Sequence, residues 1–122
     1  MRRIFTFFLA LTVGAGTLFA ESGTCGDNLT WDLTNGVLTI SGTGSMTNWT
    51  GDPHAPWYAD RTSVQSVVIN EGVTSIGDAA FFNCTALSTV TVPQSVTRVG
   101  DNVFVGCSAL TAINVASGNA KY

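Results

Sequence analysis

Val73-Thr-Ser-Ile-Gly-Asp-Ala-Ala-Phe-Phe-Asn-Cys-Thr-Ala-Leu-Ser-Thr-Val-Thr-Val-Pro-Gln-Ser95 runs without a gap into Val96-Thr-Arg-Val-Gly-Asp-Asn-Val-Phe-Val-Gly-Cys-Ser-Ala-Leu-Thr-Ala-Ile-Asn-Val-Ala-Ser-Gly118. The second stretch is the first written again. Each copy has 23 residues, and nine positions are identical: the first Val, then Thr, Gly, Asp, Phe, Cys, Ala, Leu and the last Val. A unit of this size cannot bury its own apolar side and needs a stacked neighbour, so the period predicts a solenoid.

Working outward, the repeat begins before its full form does. Val64-x-x-Val67-x-Ile69 has the spacing of Leu87-x-x-Val90-x-Val92 and Leu110-x-x-Ile113-x-Val115. That is the L-x-x-L-x-L core of a leucine-rich repeat. The fold expected is a leucine-rich repeat solenoid of the α/β horseshoe type, mostly β with short helical turns on the convex side. Asp78 and Asp101, each after a Gly, are placed to cap those turns, and Pro93 to close its strand.

Further upstream, Leu29, Trp31 and Leu33 alternate with Thr30, Asp32 and Thr34. Asn35-Gly36 supplies the positive φ angles of a two-residue turn. A hairpin over residues 28–41 follows, with Leu33 opposite Leu38 and Trp31 opposite Ile40. Its apolar face is suited to covering the first rung. Gly42-Thr-Gly-Ser45 reads as a turn, and residues 48–60 as an aromatic loop stiffened by Pro53 and Pro56.

Residues 1–20 stand apart. Arg2 and Arg3 precede an apolar run from Ile4 to Leu11, and Leu18-Phe19-Ala20 ends on a small residue. This is the pattern of a secretory signal peptide cleaved after Ala20, too short and wrongly flanked for a membrane anchor. The expected division is a leader at 1–20, a hairpin cap and aromatic loop at 21–60, and repeats at 61–122. Within the last, a half repeat spans 61–72, full repeats span 73–95 and 96–118, and the end is truncated. No capping element follows Leu110, Ile113 and Val115, which points to the N-terminal part of a longer protein.

Removal of Arg2 and Arg3 takes the formal net charge from −3 to −5. With no basic patch, nucleic acid and anionic membranes are excluded as partners. A hydrophobic share of 45% excludes a disordered tail. Cys84 and Cys107 fall at one repeat position, so they stack as a reduced, buried ladder, while Cys25 has no evident partner.

No catalytic constellation emerges. His54 is the single histidine and lacks flanking ligands, so neither a metal site nor a Ser-His-Asp arrangement is expected. Asp78 and Asp101 have the spacing of a glycosidase pair, yet their shared repeat position explains them as caps. The Asn-x-Ser/Thr sites at Asn28, Asn48 and Asn83 are those of any Thr-rich chain. No cofactor is implied. What remains is the strand face between the inward residues: Ser66 and Val68, Thr89 and Thr91, Ala112 and Asn114, beside Gln65, Ser88 and Thr111. These form a nearly uncharged ladder suited to binding a protein. Trp49, Trp57 and Tyr58 offer an alternative as sugar-stacking rings, although such rings more often pack over the end of a core.

The pairing of Val-Thr-x-Ile/Val-Gly-Asp-x-x-Phe-x-x-Cys with Ala-Leu-x-x-Val/Ile-x-Val resembles the BspA-like, or treponemal, leucine-rich repeats. Residues 24–31 and Ala55-Pro56-Trp57-Tyr58 resemble that family's region before the repeats. The resemblance implies an exported surface protein of a host-associated bacterium, with no catalytic residues. It also implies adhesion to host extracellular-matrix or plasma proteins such as fibronectin and fibrinogen. A non-binding cap or spacer of a larger secreted protein is the other expectation.

Overall fold

The computed structural model describes residues 20–119 and 121–122. The expected leader therefore lies outside the described residues, apart from Ala20. Among the described residues nine strands form two sheets. Strands β1 (Ala20–Gly26), β2 (Leu29–Thr34), β3 (Val37–Gly42), β5 (Ser66–Ile69), β7 (Thr89–Val92) and β9 (Ala112–Val115) make a six-stranded sheet in that order. Strands β4 (Gly44–Ser45), β6 (Val73–Ile76) and β8 (Arg98–Val99) make a three-stranded one.

The hairpin forms because its turn and its alternation agree. Asn35 and Gly36 have φ of 51° and 84°, as a type I′ turn requires. Trp31 then faces Ile40 and Leu33 faces Leu38. A third strand, β1, pairs antiparallel with β2. It has no apolar alternation to reveal it, because Cys25 is its one buried hydrophobic residue.

On its other edge β3 pairs in parallel with β5, β5 with β7, and β7 with β9. The join at β3 and β5 is set by Gly36, whose carbonyl accepts from the N–H groups of Gln65 and Ser66 at 2.8 and 3.1 Å. Val37-Leu-Thr-Ile40 thus occupies the same place as Ser66-Val-Val-Ile69 and Thr89-Val-Thr-Val92. β3 is a rung of the parallel ladder as well as half of a hairpin.

The turns after β6 and β8 are not helical, which corrects the convex helices expected from sequence. Ala79 and Asn83 have φ of 55° and 59°, and Asn102 and Gly106, at the matching positions of the next copy, have 59° and 82°. Two left-handed residues in each stretch break any helix. Among the described residues the helical segment is a 3-10 turn at Tyr58–Ser63. Asp78 and Asp101 are corrected with it. The Asp78 carboxylate accepts from the backbone N–H of Asp101 at 2.8 Å, and Asn48 Oδ1 accepts from Asp78 N–H at 3.0 Å. The Asp101 carboxylate accepts no hydrogen bond among the described residues, whereas Asn48 and Asp78 each bond the backbone of the next rung rather than their own turn. Gly100 permits this, since a Cβ there would collide with the Asp78 carboxylate and backbone.

Leu29, Leu33, Leu38, Ile40, Val64, Val67, Val73, Leu87 and Val90 pack between the two sheets, each 0 to 1% exposed. Trp57 lies fully buried among Trp31, Trp49 and Phe81, with centroids 5.7, 5.4 and 5.9 Å away. The stack passes from Phe81 to Phe104 at 5.9 Å. The last rung is uncovered: Ile113 is 46% and Val115 36% exposed, although Val90 and Val92 at the same positions are buried.

Burial, not residue type, sets the cost of truncation. Leu87→Ala is expected to cost about 2–5 kcal/mol in urea unfolding, and Ile113→Ala less than about 1 kcal/mol. Equal costs would show that the last rung is covered in solution.

Candidate functional site

Alternation in a strand sends every second side chain outward, and the register places those residues in rows. One row runs Ala20, Thr34, Val37, Ser66, Thr89, Ala112. The next runs Ser22, Asp32, Thr39, Val68, Thr91, Asn114. All six strand-face residues expected from sequence therefore share one face: Thr91 and Asn114 are exposed, and Ser66, Val68, Thr89 and Ala112 half-buried. Six strands about 4.8 Å apart make the face about 24 Å wide. Asp32 is the charged residue in these rows, and it accepts from the Thr34 hydroxyl at 2.9 Å.

Sequence reasoning missed the left half of this face: Ser22, Asp32, Thr34, Val37 and Thr39. The signal was present. The x-Leu-x-Ile pattern of residues 37–40 is that of the repeat strands, but the offset to β5 is 29 residues, against 23 between later rungs. A search at one fixed period passes over it.

The neighbouring polar column behaves differently. The Ser88 hydroxyl donates to Gln65 O at 3.1 Å and that of Thr111 to Ser88 O at 3.2 Å. These groups tie one rung to the one before it. Ser66, Thr89, Thr91 and Asn114 have no such bond among the described residues, so their polar atoms are free for a partner.

The aromatic alternative does not survive. Trp57 is 0% exposed and its indole N–H donates to Ala80 O at 2.7 Å, leaving no ring face for a sugar. Trp49 is 7% exposed. Tyr58 is half-buried, with the His54 ring stacked 3.6 Å away at 6° and the Arg61 guanidinium 4.3 Å from its centroid. Its ring already has partners.

Charge and thiol chemistry concentrate elsewhere. Glu21 is pushed up from 4.5 to about 7 by partial burial, then by a hydrogen bond to the Asp60 carboxyl and repulsion from its charge. Burial alone pushes the Cys25 thiol to about 12. Burial, then the neighbouring Cys107, does the same to Cys84. Cys107 is half-buried and raised by burial; its Sγ donates to Phe81 O at 3.0 Å. No group of three or more His, Cys, Asp or Glu side chains able to hold a metal occurs among the described residues.

Residues 57–122 match the family described as the BspA type leucine-rich repeat region. The chain belongs to that family. A leucine-rich repeat protein from Eubacterium ventriosum is similar in structure, with a TM-score of 0.75 and 38% sequence identity over 80% of this chain. The chain spans 26% of the length of that protein. Among curated proteins none matches. Repeats of this family generally mediate protein–protein interaction, typically without enzymatic activity, and often in surface or secreted proteins. No helix among the described residues is long and apolar enough to cross a membrane.

Two measurements check the electrostatics of the chain. Between pH 4.5 and 7 folded Glu21 holds a proton that the unfolded chain has released, so stability should fall as pH rises through that window. Solvent screening at this edge keeps the fall within about 1 kcal/mol. Glu21→Gln should flatten the corresponding slope in a series of thermal melts, and an unchanged slope would refute the Asp60 contact. In alkylation at pH 8, Cys25 and Cys84 should stay unmodified until denaturant is added, because the thiolate is the reactive form.

Proposed function

We propose that the chain is an exported, surface-displayed binding module that attaches to a host extracellular-matrix or other cell-surface protein through the outer face of its six-stranded sheet. Ser66, Val68, Thr89, Thr91, Ala112 and Asn114 are the contact residues of the repeats. Thr39 and Val37 extend the same rows toward the N-terminus. One observation carries the reading: the side chains of this face are left out of the rung-to-rung bonding that engages the polar column beside them. A nearly uncharged array of hydroxyls, amides and small apolar groups fits a polypeptide, whose own backbone supplies donors and acceptors. The rest of the proposal follows the sequence: a leader at 1–20 removed after Ala20, an N-terminal unit at 21–60 whose antiparallel strands cover the first rung, and a repeat solenoid from 61 to 122.

The size of the Eubacterium ventriosum protein relative to this chain favours a second reading, in which these residues act as a structural cap or spacer within a larger secreted protein. Binding of the full chain to immobilised extracellular-matrix and plasma proteins separates the two. Replacing Thr39, Thr89 and Thr91 together by Lys should weaken binding at least about tenfold while leaving the circular dichroism spectrum unchanged. Undiminished binding by that variant would overturn the strand-face assignment, and no binding by the unsubstituted chain would favour the spacer.

A further inference from the structure

Cys84 and Cys107 share a repeat position, but the structure does not leave them as an even ladder. Cys107 Sγ turns toward the preceding rung and donates to Phe81 O at 3.0 Å. The same carbonyl accepts from Cys84 N–H at 3.1 Å. The Cys107 sulfur therefore lies against the backbone of the Cys84 rung, where Cys84 N–H stabilises its thiolate. Stacked side chains that point the same way do not meet in a disulfide, and one has to cross toward the other. Cys107 already leans in that direction.

The two turns are drawn together next to the sulfurs. Phe81 N–H and Asn83 N–H donate to Val103 O and Val105 O at 3.1 and 2.8 Å. Gly106, immediately before Cys107, packs on Asn83, immediately before Cys84. A Cβ on Gly106 would lie 3.1 Å from Asn83 Cα and overlap its side chain. Close approach at this point is what a disulfide needs. Access to the two thiols differs. Cys84 is 1% exposed, whereas Cys107 is half-buried between the exposed Gly106 and Ser108. Cys25, the third thiol, is buried on β1, at the opposite edge of the six-stranded sheet from β9.

We propose that Cys84 and Cys107 form a redox site, which a low-molecular-weight disulfide oxidises to a bond that staples the second full repeat to the first. The half-buried Cys107 is the thiol that meets the oxidant. Its thiolate attacks one sulfur of the external disulfide and expels the other half as a thiolate. The Cys84 thiolate then attacks Cys107 Sγ, closes the internal bond and expels the second half. The protein loses two electrons and the external disulfide gains them. The two protein protons pass through solvent to the two small thiols released. In the unfolded chain such a bond restricts the loop between the cysteines, so the folded state gains in relative stability. The site is independent of the outer sheet face, and either reading can fail without the other.

Peptide mapping tests the site, because trypsin leaves the three cysteines in separate peptides, 4–61, 62–98 and 99–121. The reduced full chain is incubated with oxidised glutathione at pH 8, quenched in acid, blocked with N-ethylmaleimide and digested in denaturant. Peptide 62–98 bonded to 99–121 is expected as the main product, at least about tenfold above any pair that includes Cys25. Oxidised in guanidinium chloride, where loop length alone ranks the pairs, the chain should show an excess of only about fourfold. Cys84→Ser should trap Cys107 as its glutathione adduct, and Cys25→Ser should leave the bond unchanged. The bonded chain should melt several degrees above the reduced one, and dithiothreitol should reverse the rise. The same distribution of pairs with and without denaturant, or glutathione retained on Cys107 with no bond to Cys84, would overturn the site. An unchanged melting temperature would overturn the staple.

Discussion

The burial of Trp57 is the contact on which the molecule depends. Its ring meets Trp31 of β2, Trp49 of the loop and Phe81 of the first full repeat. Its indole N–H donates to Ala80 O at 2.7 Å. Three separately encoded segments are thereby fixed around one side chain. An indole buried without an acceptor is costly, a cost the neighbouring Trp31 N–H bears and the Ala80 carbonyl spares Trp57. The position of that carbonyl sets the turn after β6, and through Ala79 N–H bonded to Asp101 O, the next turn as well. The repeat is anchored at its first full turn, and later turns inherit the placement.

From that anchor the structure propagates by side chains that reach an adjacent rung. Asn48 accepts from Asp78, and Asp78 from Asp101. Ser88 donates to Gln65, and Thr111 to Ser88. Gln94 donates to Ser117 O at 2.9 Å, and its own N–H is accepted by Glu71 at 3.0 Å. These bonds lie at exposed positions, where each contributes about 0.5–1.5 kcal/mol net, and together they constrain the residues that make them. The outer rows of the six-stranded sheet escape this constraint. Freedom to vary and freedom to bind coincide there for one physical reason.

What the sequence disclosed divides along the same line. The hairpin register was legible because Asn35-Gly36 fixes the turn and Trp31, Leu33, Leu38 and Ile40 agree with it. The repeat strands were legible from period alone. Strand β1 was not, because an edge strand has little to bury. The parallel pairing of β3 with β5 was hidden by an offset longer than the repeat. The turn conformation was misread because Asp after Gly is also a helix-cap signal, and nothing local reveals that Ala79 takes a positive φ. Trp49 and Trp57 were rightly legible as core residues. The partner that Trp57 finds, a backbone carbonyl 23 residues away, is a tertiary fact no local pattern records.

The two ends of the ladder differ in kind. At the first, β1 and β2 continue the sheet in antiparallel sense, and the edge residues Glu21, Ser22 and Thr24 are exposed and polar. The two antiparallel pairings replace the 23-residue rung by a hairpin and a polar edge strand. At the other end Ile113 and Val115 stand exposed on a strand whose direction and spacing match the rung before it. The pattern that buried Val90 and Val92 is repeated there with no further strand beside it among the described residues. The two edge strands thus differ in the side chains they carry, polar on β1 and apolar on β9.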